Sequence, residues 1–306
     1  MQTNKPLFLK VFLVCVCLTF PIFINHANGA KIPPEQKLET VRTSHFRVHY
    51  PITHQRFAAY LVAYLEEAYD VLSRDLAWQV EGKIDVVVRS DTDIPNGFAS
   101  VFPFNRLTIH AVPFNAPSFI GEYDNWIRTL AYHELTHIIA NDTTTGVFKT
   151  GRKIFGSASK INPYQPQWLI EGLAVYYETL RSTYGRGRST LVDMILRTAA
   201  QNDLLQVDEP KSRARVLSLQ NTDDETTDLS LLKISLDRLN DGSPIWPHFQ
   251  TPYIYGYVMN EMMADLGDDS TPAQVSKKNS SRLPFFINVA VKRTLGKTYE
   301  EIWREV

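Results

Sequence analysis

Cysteine is nearly missing from this 306-residue chain: the two present, Cys15 and Cys17, both lie within the first thirty residues. From Lys31 onward there is none, so neither a disulfide framework nor a cysteine-ligated metal can form there. A cysteine-free body avoids oxidative mispairing, which suits an exported protein. Excess charge of either sign is missing too. Lys and Arg total 32 against 33 Asp and Glu, a formal net charge of −1. No basic stripe argues for nucleic acid, and none is expected among the partners. No internal repeat of the kind that builds propeller blades occurs. Long apolar runs are also scarce. Val11–Ile24 is the one candidate, and it is too short to span a bilayer comfortably.

That run reads as the core of an export signal. Lys5 and Lys10 supply the positive flank, and Ala27-Asn28-Gly29 places small residues before a cut near Gly29 or Ala30. No small residue precedes Cys15 or Cys17 as lipidation would need. Residues 1–30 are therefore expected to be a signal peptide, and the protein periplasmic or extracellular. The alternative is an uncleaved amino-terminal anchor, a membrane tether that leaves the body facing the periplasm. Hydrophobic residues make up 44%, enough for an ordinary core in the remaining about 275 residues.

The most informative feature present is His133-Glu134-Leu135-Thr136-His137. It sits in Asp124–Asn141, which reads as helix. Two histidines four apart leave the same face of a helix, as two nitrogen ligands of one tetrahedral Zn²⁺ would. Glu134 projects about 100° around the helix from His133. There it can reach a water at the metal without ligating it, the place of a general base in zinc hydrolases. The bland alternative is a surface helix with two solvated histidines. Leu130, Ala131, Ile138, Ile139 and Ala140 oppose it, because they predict a buried helix, and a buried helix does not hold two His and a Glu without partners.

A catalytic zinc usually takes three protein ligands and leaves one position open. A third His after a Gly turn is excluded, since Ala140 and Thr143 occupy the corresponding positions. The first Glu downstream of the motif is Glu171. It lies in Pro166–Glu178, a second apolar-faced helix that would pack beside the first. Glu178 stands two turns further on the same face. It can accept the outer N–H of a ligand histidine and fix its tautomer; a solvated helix-end Glu is the alternative.

The rest of the chain reads as a small α/β lobe followed by a mainly helical one. Ser44–Tyr50 alternates as a half-buried strand, Arg56–Leu76 has helical spacing, and Ile84–Val88 and Asn105–Val112 read as strands. Lys149–Pro166 is rich in Gly, Lys, Ser and Pro and is expected to be a loop at the cleft rim. Ser189–Thr198 reads as a helix. Asp208–Thr227, with Asp223-Asp224-Glu225, reads as a solvated acidic loop, with a Ca²⁺ site as the alternative. Pro252–Leu266 reads as a helix, Gly267–Ser281 as a flexible polar loop, and Phe285–Leu295 and Tyr299–Glu305 as helices.

At Trp168-Leu169-Ile170-Glu171-Gly172-Leu173-Ala174 the chain resembles the gluzincins, zinc peptidases whose third ligand is Glu. It is more distantly similar to the membrane alanyl aminopeptidase family, and more closely to the peptidase-MA-like domains of exported bacterial proteins that precede Tol-type β-propellers. Asn96-Gly97-Phe98-Ala99, Phe104-Asn105-Arg106-Leu107, Gly185-Arg186-Gly187-Arg188-Ser189, Trp246-Pro247 and Tyr253-Ile254-Tyr255-Gly256 carry the closer likeness. The resemblance runs from Phe46 to the C-terminus and implies an α+β, thermolysin-like zincin domain over residues 31–306, divided near residue 115. It implies His133, His137 and Glu171 as ligands of one Zn²⁺ and Glu134 as general base. Tyr253, three before Gly256, matches the aminopeptidases' oxyanion donor, with Tyr255 as fallback and His248 as a weaker candidate. In zincins the last strand before the zinc helix pairs with substrate backbone, which makes Thr108–Val112, with Thr108, Ile109 and His110, the expected substrate edge; a purely structural strand is the alternative.

Two departures stand out. No Gly-x-Met-Glu-Asn segment, whose Glu holds a free amino terminus in the aminopeptidases, precedes His133. Ile170 replaces the Asn that precedes their ligand Glu. The expected function is therefore an exported zinc metallopeptidase acting on a peptide or protein substrate, as an endopeptidase rather than an aminopeptidase. A zinc-containing binding or assembly module and a non-peptide amide hydrolase are the alternatives.

Overall fold

The structure, a computed structural model, describes residues 36–113, 123–202, 204–205, 234–240 and 247–305. The expected signal and the acidic segment Asp208–Thr227 lie outside the described residues. Among the described residues no helix is long and apolar enough to cross a membrane.

The fold is α+β. Strands β1 (Leu38–Arg42), β2 (Phe46–Pro51), β3 (Ile84–Arg89), β4 (Gly97–Ser100) and β5 (Arg106–His110) form one sheet in the order β1-β2-β3-β5-β4. The inner strands β2, β3 and β5 run parallel, and β1 and β4 are antiparallel edges. Alternation sets which face is buried. Phe46, Val48 and Tyr50 of β2 and Ile84, Val86 and Val88 of β3 point to the core. On the other face the pair Arg47 and Asp85 closes a two-pronged ion pair with both contacts at 2.6 Å.

Helix α1 (Gln55–Asp75) lays Leu61, Leu65, Ala68 and Leu72 on the sheet, the spacing of a single helical stripe. Helix α2 (Trp126–Asp142) packs against α1 and begins at Asn125, whose side chain accepts the Arg128 N–H at 3.1 Å. It is apolar on most sides, and Leu130, Ala131, Leu135, Ile138 and Ile139 are all buried in the same core. Its last residue, Asp142, is fully buried. Trp78 Nε1 and Asn105 Nδ2 donate to it at 2.8 and 2.9 Å, and Arg152 and Lys160 pair with it at 3.0 and 2.9 Å. Burial alone would raise this carboxyl; the Arg152 hydrogen bond and the Lys160 charge outweigh it and hold the group below its ordinary value.

Helix α3 (Gly146–Phe155) follows, then α4 (Gln167–Leu180), α5 (Thr190–Gln201), α6 (Thr251–Leu266), α7 (Thr271–Asn279), α8 (Ile287–Leu295) and α9 (Tyr299–Trp303). Helix α4 bridges two cores. Leu173, Val175, Tyr176 and Tyr177 join the sheet core, while Trp168 and Leu169 join a second core with Ile254, Tyr255, Met259 and Trp303. Its crossing with α6 is close. A Cβ on Gly172 would stand 2.3 Å from the Gly256 carbonyl, and one on Gly256 would stand 2.2 Å from the Trp168 carbonyl oxygen.

Two expected loops are helices. Residues 146–155 wind into α3, which Arg152 anchors to Asp142. Residues 271–279 wind into α7, which carries Pro272 in its first turn and buries Ala273 and Val275. Both are rich in polar or small residues, and tertiary anchoring overrides that composition.

Candidate metal centre

Helix α2 threads the core, so its polar residues must be satisfied within the protein. His133, Glu134 and His137 are all buried. The two Nε2 atoms face each other at 3.1 Å, with ring planes 88° apart. Glu171, brought in by α4, sets Oε2 at 3.1 Å from His137 Nε2 and 3.5 Å from His133 Nε2. No donor hydrogen is aligned on that buried oxygen. Three atoms able to ligate thus converge from two helices, a group that could hold one metal ion.

The spacing suits zinc. Ligand atoms about 2.0–2.1 Å from a tetrahedral Zn²⁺ stand about 3.3 Å from one another, inside the range seen here. The electrostatics agree. Burial and the Arg186 charge push the His133 imidazole towards neutrality, yet Glu171 and Glu178 outweigh them and lift it to about 9. Burial would raise Glu171, and the two histidines instead hold it well below the carboxylate range. The centre is built to hold positive charge.

Behind it stands a second layer. Glu178 is fully buried two turns after Glu171, and its Oε2 lies 2.8 Å from His133 Nδ1. We assign the Nδ1 proton to that contact, which leaves the Nε2 lone pair facing the centre. Burial would raise Glu178, but the Arg186 charge and the His133 contact hold it at about 2. Arg186 grips Glu178 with its backbone N–H and Nε, both 2.9 Å from Oε1, and with Nη2 3.0 Å from Oε2.

Arg186 is the functional residue that sequence reasoning passed over. It is buried, it lines the cleft, and its guanidinium lies 4.7 Å over the Tyr253 ring. The flanking glycines let the chain insert it. Gly185 has φ +111°, and a Cβ on Gly187 would meet the Tyr257 ring at 2.2 Å. The available signal was the pattern itself, a charged residue between two glycines shortly after the Glu171 helix.

Glu134 stands beside the trio, packed on Gly97 of β4, and burial raises its carboxyl. Tyr253, in the first turn of α6, lines the same cleft, with its ring 6.2 Å from that of His133 and 22° from parallel. Tyr255 does not. It is buried in the second core against Trp303. His248 is exposed in the turn before α6 and is not among the cleft-lining residues.

The strand expected as the substrate edge is not a free edge of the sheet. Thr108, Ile109 and His110 lie on β5, an inner strand, and β4 occupies the free side, pairing Phe98 with Thr108 and Gly97 with Ile109. The edge facing the cleft is β4, whose Gly97, Phe98 and Ala99 line it. His110 Nδ1 lies 2.8 Å from the Ile94 carbonyl, which ties down the segment leading into that edge. A four-residue strand that opens on Gly leaves no period in the sequence.

No family model and no curated protein matches the sequence. Among solved structures the fold is similar to native yeast LTA4 hydrolase, with a TM-score of 0.44 and 14% identity over 88% of this chain and 38% of that one. It is also similar to an aminopeptidase N family protein from Idiomarina loihiensis, with a TM-score of 0.37 and 13% identity over 88% of this chain and 43% of that one. The chain spans about two fifths of the length of these proteins.

Proposed function

We propose that the chain is an exported zinc metallopeptidase with a thermolysin-like, gluzincin-type centre that cuts within polypeptides. The observation that carries this reading is the convergence of His133 Nε2, His137 Nε2 and Glu171 Oε2 beside a buried Glu134 in an open cleft. His133, His137 and Glu171 would hold one Zn²⁺. Bound there, zinc supplies a Lewis acid that makes water more acidic and polarises the substrate carbonyl.

The chain's own groups do the rest. Glu134 takes the proton of the attacking water and passes it to the leaving amine, and burial raises its carboxyl towards the range in which it can do both. Glu178, locked by Arg186, keeps His133 in the ligating tautomer. The Tyr253 hydroxyl donates to the oxyanion that develops on the former carbonyl. The β4 edge receives an extended peptide through backbone hydrogen bonds. Ile94, Phe98 and Phe249 give the cleft apolar walls.

Internal cleavage has its own support. Among the described residues lining the cleft the only carboxylates are Glu134 and Glu171, and both already have roles. Among the described residues none remains to hold a free amino terminus. Export rests on residues 1–30, read as a signal.

The test is digestion of casein by the purified protein, with and without a zinc chelator, beside Glu134→Gln. Chelator-sensitive cutting restored by zinc, absent from a zinc-loaded Glu134→Gln variant and yielding internal fragments, is the expected result. Full activity in Glu134→Gln would overturn the mechanism. Tightly bound zinc with no cutting of any polypeptide would make the chain a binding module instead.

A further inference from the structure

Helix α3 buries none of its residues, although it is strongly two-faced. Val147 and Ile154, two turns apart on one side, are each 75% exposed, and Phe155 is 68% exposed. Apolar neighbours continue from both ends. At the start, Thr145 Oγ1 meets Ser280 Oγ at 2.8 Å, which leads on to exposed Leu283, Phe285 and Phe286. At the finish, Ser157 Oγ donates to the Pro103 carbonyl at 2.8 Å, which joins the turn bearing exposed Phe102 and Phe104. Scattered exposed apolar residues are ordinary. Eight large ones on three segments tied together at one helix mark an interaction surface.

Charge identifies the partner. Residues 100–106, 145–160 and 277–286, which carry this surface, contain eight Lys and Arg and no Asp or Glu, in a chain whose overall net charge is −1. Arg152 and Lys160 are spent on Asp142. Lys149 and Lys153 are exposed on α3 itself and make no ion pair among the described residues. Arg106 lies 5.8 Å over the Phe104 ring. A second copy of the chain would bring like charges together across a two-fold interface, which disfavours self-association. An anionic bilayer satisfies both halves of the pattern. Apolar side chains enter the acyl boundary, and lysines reach to the headgroups.

We propose that this face seats the protein on an anionic phospholipid surface, with α3 lying in the interface plane. A ten-residue helix extends about 15 Å, suited to lying along a membrane and too short to cross one. The β4–β5 hairpin connects this face to the cleft, since Gly97–Ala99 line the cleft and Phe102–Phe104 belong to the face. Docking would therefore hold the cleft close to the headgroups. The proposal stands whether or not the cleft hydrolyses peptides.

The test is co-sedimentation of the full chain with vesicles of phosphatidylglycerol and phosphatidylcholine, against phosphatidylcholine alone, at low and high salt. Residues 1–30, with an apolar run and Lys5 and Lys10, would bind lipid on their own, so the readout is the difference between wild type and the α3 variants on anionic vesicles. Three variants probe α3: the double charge reversal Lys149→Glu with Lys153→Glu, the double variant Ile154→Ser with Phe155→Ser, and Ile154→Trp. Expected are salt-sensitive preference for anionic vesicles and about tenfold weaker binding on charge reversal. Above the constant emission of the five native Trp, the indole introduced by Ile154→Trp should add a component that shifts to the blue on anionic vesicles only. Circular dichroism checks that the variants fold. Equal binding of wild type and charge-reversed protein, or an unshifted emission from the introduced indole, overturns the proposal. So does a dimer in solution that the serine variant abolishes, which would make the face a self-association surface.

Discussion

The carboxylate of Glu134 rests on the α-carbon of Gly97: a Cβ at position 97 would stand 2.6 Å from Glu134 Oε1 and 2.7 Å from its Cγ. The edge strand and the candidate base are thus built against each other. Gly97→Ala should push Glu134 out of place without touching a zinc ligand. Displacements of about 1 Å can cost about 10²-fold in rate. The expected result is kcat/KM lower by about 10–100-fold with zinc content unchanged, measured by peptide turnover beside metal analysis. Wild-type turnover would show that Glu134 needs no such seat.

Arg186 is the sole arginine gripping Glu178 among the described residues. Arg186→Met removes it and leaves a buried carboxylate short of partners, a change that costs about 3–5 kcal/mol in comparable pairs. His133 then loses its fixed partner, and zinc affinity should fall by about 10–100-fold. Competition against a chromophoric chelator reads the affinity, and thermal melts read the stability. Arg186→Lys should recover only part of either, because an ammonium cannot reproduce the forked contact. A Met variant with native affinity would remove Arg186 from the centre's support.

Asp142 predicts a pH dependence. Its carboxyl is held below the ordinary value in the folded state. Its contribution is therefore complete above the unfolded value of about 3.9. It is lost as pH falls through the folded value. Asp142→Asn, which strands Lys160 and Arg152, should be several kcal/mol less stable at pH 7. The gap between wild type and variant should stay level down to about pH 5 and narrow below pH 4. Chemical denaturation across pH measures it. A gap that widens in acid would contradict the sign.

The α4–α6 crossing predicts a packing failure. Gly172→Ala would place its Cβ 2.3 Å from the Gly256 backbone, which has no flexible side chain to yield. The helices must separate, and Glu171 and Tyr253 lie on them. Overpacking of this kind costs about 1–3 kcal/mol or more. A lower melting temperature together with weakened zinc binding is expected. An unchanged melt would mean the helices have room to slide apart.

Much of the architecture is legible in the sequence because period reports burial. Leu61, Leu65 and Leu72 recur at helical spacing, and Phe46, Val48 and Tyr50 alternate, so α1 and β2 are readable. β1 is not, because it is mostly exposed and has no alternation to show. β4 is too short. α3 is silent for a third reason: its apolar side chains face outward, so its pattern reports no core.

At the site the same division holds. Local spacing by itself put His133 and His137 on one helical face, because four residues make about one turn. Elimination singled out Glu171, the first Glu after the motif. What the chain could not show from its order is anything that depends on contact between distant segments. The meeting of Arg186 with Glu178 and Tyr253, the seating of Glu134 on Gly97, and the choice of β4 over β5 as the free edge were decided only by packing. Those contacts come from the close approach of α4 and α6 and from a strand added antiparallel at the sheet's end, and neither leaves a periodic trace in sequence.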